Sequence, residues 1–177
     1  MARSRYPERL ANAWHVTPGD TFDFSEGTER IEVKSATGPV RSHHFSLAQL
    51  SLPSPAVAVV VSIFVARAGA GESVRDLLKV LHRRLTGYPQ LLLRVETVVA
   101  ATLGNTIQRA LTETFDRQLA EASLTLYRAD DIPTISGQID PRVSDVRFVS
   151  DLASVPVVTS TDLGSGALCE TLMIGRV

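Results

Sequence analysis

The chain has one cysteine, Cys169, in 177 residues, which excludes an intrachain disulfide framework and suits a reducing compartment. That cysteine and four histidines show no zinc-ligand spacing. Neither sign of charge is in excess. With 18 Lys and Arg against 19 Asp and Glu, the net charge is −1, so no global basic field draws the chain to nucleic acid. Long apolar runs are also missing. The longest, residues 55–66, is interrupted by Ser62 and is too short to cross a bilayer. The first residues lack the apolar segment of a secretion signal. A cytoplasmic chain with no membrane partner is expected. There is no internal repeat and no low-complexity segment.

What is present is ordinary for a globular protein: 44% hydrophobic and 21% charged residues, and a length that suits one domain with a sizeable core. Cys169 has no charged neighbours to activate it, so it reads as a buried or tail thiol rather than a nucleophile.

One stretch, Thr21 to Leu50, concentrates the chemistry. An acid sits in an aromatic run, Phe22-Asp23-Phe24. The turn Ser25-Glu26-Gly27 follows, then a β-like run, Arg30-Ile31-Glu32-Val33-Lys34. In a strand, side chains at i and i+2 share a face, so Glu32 and Lys34 point one way and Ile31 and Val33 the other. A hairpin with strands near residues 21–25 and 30–36 brings Asp23 alongside Glu32. Two carboxylates can hold Mg²⁺ (or Mn²⁺) through hard oxygen ligands, with water positions left open. Such an ion polarises a phosphate oxygen and acidifies a bound water. A lysine beside it can stabilise developing negative charge. The bland alternative is a surface strand with a cross-face ion pair.

Further along, Gly38-Pro39 breaks the run. Arg41, His43 and His44 then read either as a solvated loop or strand end, or as phosphate contacts to duplex DNA. Ser46 caps a short helical turn through Leu50. Residues 56–65 read as a central strand buried on both faces, because the run is β-branched and does not alternate. Gly69 and Gly71 end it. Ser73 with Asp76 opens a helix with Val74, Leu77, Leu78, Leu81 and Leu85 on one face. Its other side carries the densest basic cluster, Arg75, Lys79, His82, Arg83 and Arg84. Residues 89–102 read as helix or partly strand, residues 106–122 as helix, and Ser123–Tyr127 and Val143–Val149 as strands. Asp130-Asp131 reads as a turn. At the N-terminus residues 7–15 suit a short helix, with Glu8 a helix-start acid. The pattern is an α/β domain with a mixed sheet flanked by helices.

The spacing of Asp23, eight residues, then Glu32-Val33-Lys34 resembles the PD-(D/E)XK nuclease signature, with Phe22 in place of its first-position proline. The continuation Lys34-Ser35-x-x-Gly38 and His44-Phe45-Ser46-Leu47-x-Gln49-Leu50 is similar to one branch, the PD-(D/E)XK motif proteins found beside restriction and phage-defence genes. So are Phe115-Asp116, Ser123–Tyr127, Asp131-Ile132-Pro133 and Val143–Phe148. The resemblance implies a restriction-endonuclease-like mixed central sheet over residues 1–152, with residues 153–177 a loosely ordered tail or edge extension. It implies that Asp23 and Glu32 hold the metal, that Lys34 serves the attacking water and the transition-state charge, and that Gln49 assists. It also implies a longer N-terminal part than this chain carries, a short or truncated form. The expected activity is metal-dependent hydrolysis of DNA phosphodiesters in a restriction or phage-defence system, by a homodimer or together with other restriction-system subunits. The alternative is a non-catalytic nucleic-acid-binding or assembly subunit that keeps the fold.

Overall fold

Gly27 takes φ +53°, a conformation that a residue without Cβ adopts readily, and the turn at Gly27-Thr28 closes a hairpin. The computed structural model describes residues 4–163 and 166–172. In it the hairpin joins β1 (Phe24–Glu26) to β2 (Glu29–Ala36), with Phe24 opposite Ile31 and Glu26 opposite Glu29. β2 then pairs in parallel with β4 (Val57–Phe64) over its whole length, and β4 pairs antiparallel with β7 (Thr125–Arg128). The result is a mixed central sheet in the order β1-β2-β4-β7.

β4 is the interior strand its composition predicts, with Ala58 to Val61 and Ser62 all buried. Because it has hydrogen-bonded neighbours on both sides, its amides should exchange with deuterium far more slowly than those of the three-residue edge strand β1. Exchange at the β1 rate, read by mass spectrometry or NMR, would contradict this placement.

The two faces of the sheet carry separate clusters. Ala58 and Val60 pack with Phe22, Phe45, Leu50, Tyr127, Leu152 and Val155. Ile31, Val59, Val61 and Leu126 pack with Leu10, Ala13, Leu168 and Cys169. The first face is covered by β3 (Ser42–Ser46), which pairs antiparallel with β8 (Arg147–Asp151), and by α2 (Leu47–Leu50). The second is covered by α1 (Pro7–Ala13) and residues 166–172. A third cluster joins Ala11 and Trp14 to Leu78, Leu81 and Leu85 of the α3 (Val74–Arg84) region and to Val95 of α4 (Pro89–Leu103).

Several expectations need correction. Gly69 and Gly71, read as ending the central strand, lie within a further strand, β5 (Arg67–Ser73), and residues 106–122 are not one helix. They divide into α5 (Ile107–Ala110), β6 (Thr114–Phe115) and α6 (Arg117–Ala122), the last capped by the Asp116 carboxylate on Leu119 N at 2.9 Å. The helical stripe misled because β6 pairs with β5. A Cβ at Gly71 would lie 2.3 Å from the Phe115 carbonyl oxygen, so the glycine that looked like a terminator permits the pairing. Val33 is 37% exposed rather than a core residue beside Ile31. Residues 166–172 are not loose: Leu168, Cys169 and Thr171 are buried, and the buried Glu29 carboxylate accepts from Leu168 N at 2.9 Å and Cys169 N at 3.2 Å. Burial and the Glu29 carboxylate push the Cys169 thiol up to about 12, in keeping with an inert thiol. The other tail positions, 164–165 and 173–177, lie outside the described residues.

Candidate active site

Strand alternation puts Arg30, Glu32 and Lys34 on one face of β2. Their partners in β4 are Ala58, Val60 and Ser62, so this face is the one carrying Phe45 and Leu50. Asp23 precedes β1, and its side chain substitutes for the missing ladder: Asp23 Oδ2 accepts from Val33 N at 2.7 Å. In return Asp23 N donates to Glu32 Oε2 at 3.3 Å. The two acids are therefore tied together across the hairpin.

Lys34 and Gln49 complete the group. Glu32 Oε1 is 2.7 Å from Lys34 Nζ and accepts from Gln49 Nε2 at 2.7 Å. Gln49 reaches the acid because Ser46 opens α2. Ser46 N donates to Gln49 Oε1 at 3.0 Å, the backbone half of a capping box. Lys34 Nζ donates to the same oxygen at 3.3 Å, and Gln49 Nε2 also donates to Thr21 O at 2.9 Å. Every one of these bonds agrees with a single amide orientation, so Gln49 is locked between the acid and the lysine. The Lys34 ammonium lies 5.1 Å from the centre of the buried Phe45 ring, close enough for a cation–π attraction.

Burial dominates the electrostatics of Glu32. The residue is 6% exposed, and desolvation raises its pKa. The Lys34 hydrogen bond opposes the rise, and the nearby Asp23 charge adds to it. A carboxyl whose folded pKa is raised binds protons more tightly folded than unfolded, so stability falls as pH rises from the ordinary glutamate range through the raised value. Glu32→Gln should accordingly raise the melting temperature at neutral pH in chelator, with the gain disappearing below about pH 4, where the unfolded-state carboxyl is also protonated. A gain that persists unchanged in acid would contradict the burial argument; calorimetric scans across pH read the difference.

The donor set fits a hard divalent ion. Glu32 Oε1 is taken by Lys34 and Gln49, while Glu32 Oε2 and Asp23 Oδ1 retain lone pairs. One or two carboxylates with the remaining positions left to water and phosphate suit Mg²⁺. Among the described residues no group of three or more His, Cys, Asp or Glu side chains is placed to hold a metal.

The remaining expected contacts divide. His44 is exposed and lines a cleft of about 690 Å³ together with Lys34, Gln49, Ser46 and Arg147. His43 is 2% exposed in β3, with Nε2 2.8 Å from Ser62 Oγ. Burial, then the Lys34 and Arg41 charges, push its pKa down. It has no surface to offer a phosphate, and that expectation is corrected. Arg41 is likewise turned inward. It donates to Ser62 Oγ at 2.7 Å, to Ser62 O at 3.1 Å and to Ser123 O, and lies 4.3 Å from the centre of the Phe64 ring. These residues brace the floor beneath Lys34, since Ser62 is its partner in β4. Part of that role was readable in the sequence: Ser62 is a lone polar residue in a buried β-branched run.

His15 carried no such signal. It follows α1, and its Nδ1 is 3.8 Å from Asp23 Oδ1, while its backbone N donates to Asp23 O at 2.8 Å. Of the basic set on α3, Lys79 is paired with Asp76 at 2.7 Å and His82 with Glu96 of α4 at 3.1 Å.

No curated protein and no solved structure matches the chain. Residues 2–153 do match a family model, described as "Putative PD-(D/E)XK family member (DUF4420)". The mixed sheet flanked by helices is compatible with a PD-(D/E)XK fold, and the acids and the lysine of the motif meet on one of its faces. The chain belongs to that family.

Proposed function

We propose that the protein is a divalent-metal-dependent endodeoxyribonuclease that hydrolyses phosphodiester bonds of duplex DNA, in a restriction or phage-defence setting in the cytoplasm. The observation that carries this reading is the closed set of contacts among Asp23, Glu32, Lys34 and Gln49, with Lys34 and Gln49 on the wall of an open cleft.

In this reading Asp23 and Glu32 would hold Mg²⁺ or Mn²⁺. When bound, the ion supplies polarisation of a phosphate oxygen and a more acidic water. The chain's own residues do the rest. Lys34 presents a cation, already fixed by Glu32 and Gln49, to the negative charge that develops on the phosphate. Its orientation is preset, so little reorganisation accompanies the reaction. Gln49 holds the Lys34–Glu32 ion pair in place, because its amide donates to the acid and accepts from the lysine.

A second reading, a non-catalytic DNA-binding or assembly subunit that retains the fold, draws on the same contacts: Glu32 is buried and satisfied by the protein itself. Its net charge of −1 also suits a subunit that borrows DNA contacts from a partner. The two are separated by incubating the protein with modified and unmodified circular duplex DNA in Mg²⁺ or Mn²⁺. Linear or nicked product supports the nuclease; intact circles under every metal and modification condition favour the subunit.

A further inference from the structure

A second cleft of about 580 Å³ lies beside the first, and the two share Asp20, Thr21, Ala48 and Ser51 in their walls. The candidate active site reaches the clefts on either side of this wall through its neighbours, while Asp23 and Glu32 line neither. Lys34 and Gln49 line the first cleft; His15, which touches Asp23, lines the second. The Gln49 amide donates to the carbonyl of Thr21, a residue common to both.

The second cleft carries two guanidinium groups, those of Arg30 and Arg94. Six other arginines are neutralised by carboxylates: Arg9 by Glu26, Arg67 and Arg109 by Glu113, Arg117 by Glu72 and Glu121, Arg142 by Asp140 and Arg147 by Asp145. Arg30 and Arg94 differ. Arg30 donates to the carbonyls of Gly27 and Glu29, each at 2.7 Å, and Arg94 donates to the carbonyl of Trp14. Among the described residues neither is paired with a carboxylate. Arg94 Nε is buried without a hydrogen-bond partner, and a buried donor left unpaired calls for an acceptor. The one acid shared with the first cleft, Asp20, is turned into its own loop, where it accepts from Val16 N, Thr17 N and Thr17 Oγ1.

We infer that this second cleft is a phosphate-binding subsite, in which Arg30 and Arg94 take a backbone phosphate of the DNA strand whose scissile phosphate lies at Asp23, Glu32 and Lys34. The identity of the strand rests on the nuclease reading; the phosphate chemistry rests on the two arginines. A guanidinium fork matches phosphate oxygens two at a time, and a phosphate drawn onto Arg94 supplies the acceptor that Nε lacks. The local basic patch that a chain of net charge −1 needs for DNA is then this cleft.

The test is the salt dependence of binding. A fluorescein-labelled duplex is titrated with the full chain in Ca²⁺, which replaces Mg²⁺ to suppress cleavage, at a series of KCl concentrations, and anisotropy gives the affinity. Arg30→Gln and Arg94→Gln should each flatten the slope of log affinity against log salt by about 1, and the double variant by about 2. Arg109→Gln, which removes the same charge from an exposed site on α5, should leave it unchanged. Thermal melts establish folding; should Arg94→Gln fail to fold, Arg30→Gln alone decides. Wild-type slopes in the two single variants, or no binding of the duplex by wild-type protein, overturn the subsite. Flattened slopes with no DNA cleavage by wild-type protein in Mg²⁺ uphold the subsite and overturn only the nuclease reading.

Discussion

Lys34→Ala should lower single-turnover cleavage by on the order of 10²–10³ and leave DNA affinity nearly unchanged. Lys34 lies on the cleft wall and its ammonium acts where charge develops, so its loss should appear in turnover rather than binding. The variant should still fold. Gln49 Nε2 and Asp23 N continue to donate to Glu32, at 2.7 and 3.3 Å in the wild-type protein. Some stability should nevertheless be lost at neutral pH, because the buried carboxylate has lost its cation. Glu32→Ala should behave differently. It deletes a metal ligand, so activity should fall at low Mg²⁺ and partly return as Mg²⁺ is raised. No Mg²⁺ concentration should rescue Lys34→Ala. A titration of both variants separates a metal ligand from a charge-stabilising lysine, and wild-type rates in both would rule out this active site.

The largest expected loss of stability is elsewhere. Glu29→Ala should destabilise the fold by roughly 2–6 kcal/mol, since it strands two buried N–H groups at about 1–3 kcal/mol each. Those groups, on Leu168 and Cys169, hold residues 166–172 against the sheet, where Leu168 and Thr171 are almost fully buried. Closeness is extreme at Gly166, where a Cβ would lie 1.9 Å from Glu29 Oε1, so Gly166→Ala should reproduce part of the effect. Urea unfolding measures the loss, and hydrogen exchange should show residues 166–172 opening before β4. A Glu29→Ala variant of wild-type stability would mean that the segment is held by its apolar contacts alone.

How much of this was legible follows from where the determinants lie. Asp23, Glu32 and Lys34 were readable because strand period and hairpin closure are local rules, and β1 and β2 obey them. Gln49 depended on the family resemblance, since its place beside Glu32 comes from a helix that begins after β3. The inward turn of His43 and Arg41 was not readable: β3 pairs with β8, more than 100 residues away, and that pairing decides which of two adjacent histidines is buried. β6 was hidden for a related reason. Its two residues have no strand signature of their own and are fixed by β5 and the close approach at Gly71. Nothing local marks Glu29, and only residues 166–172 folding back onto it make it a buried anchor.

The most direct test of the central claim, that the paired acids and the lysine form a metal-dependent nuclease centre, is single-turnover cleavage of duplex DNA by wild-type protein and Asp23→Ala side by side. Asp23 is the choice because its carboxylate is the less enclosed of the two, with Val33 N and the distant His15 ring as its partners. The account predicts wild-type cleavage that requires added Mg²⁺ or Mn²⁺, stops on chelation, and falls by orders of magnitude in Asp23→Ala. Equal rates for the two proteins, or wild-type cleavage that survives chelation, would contradict it.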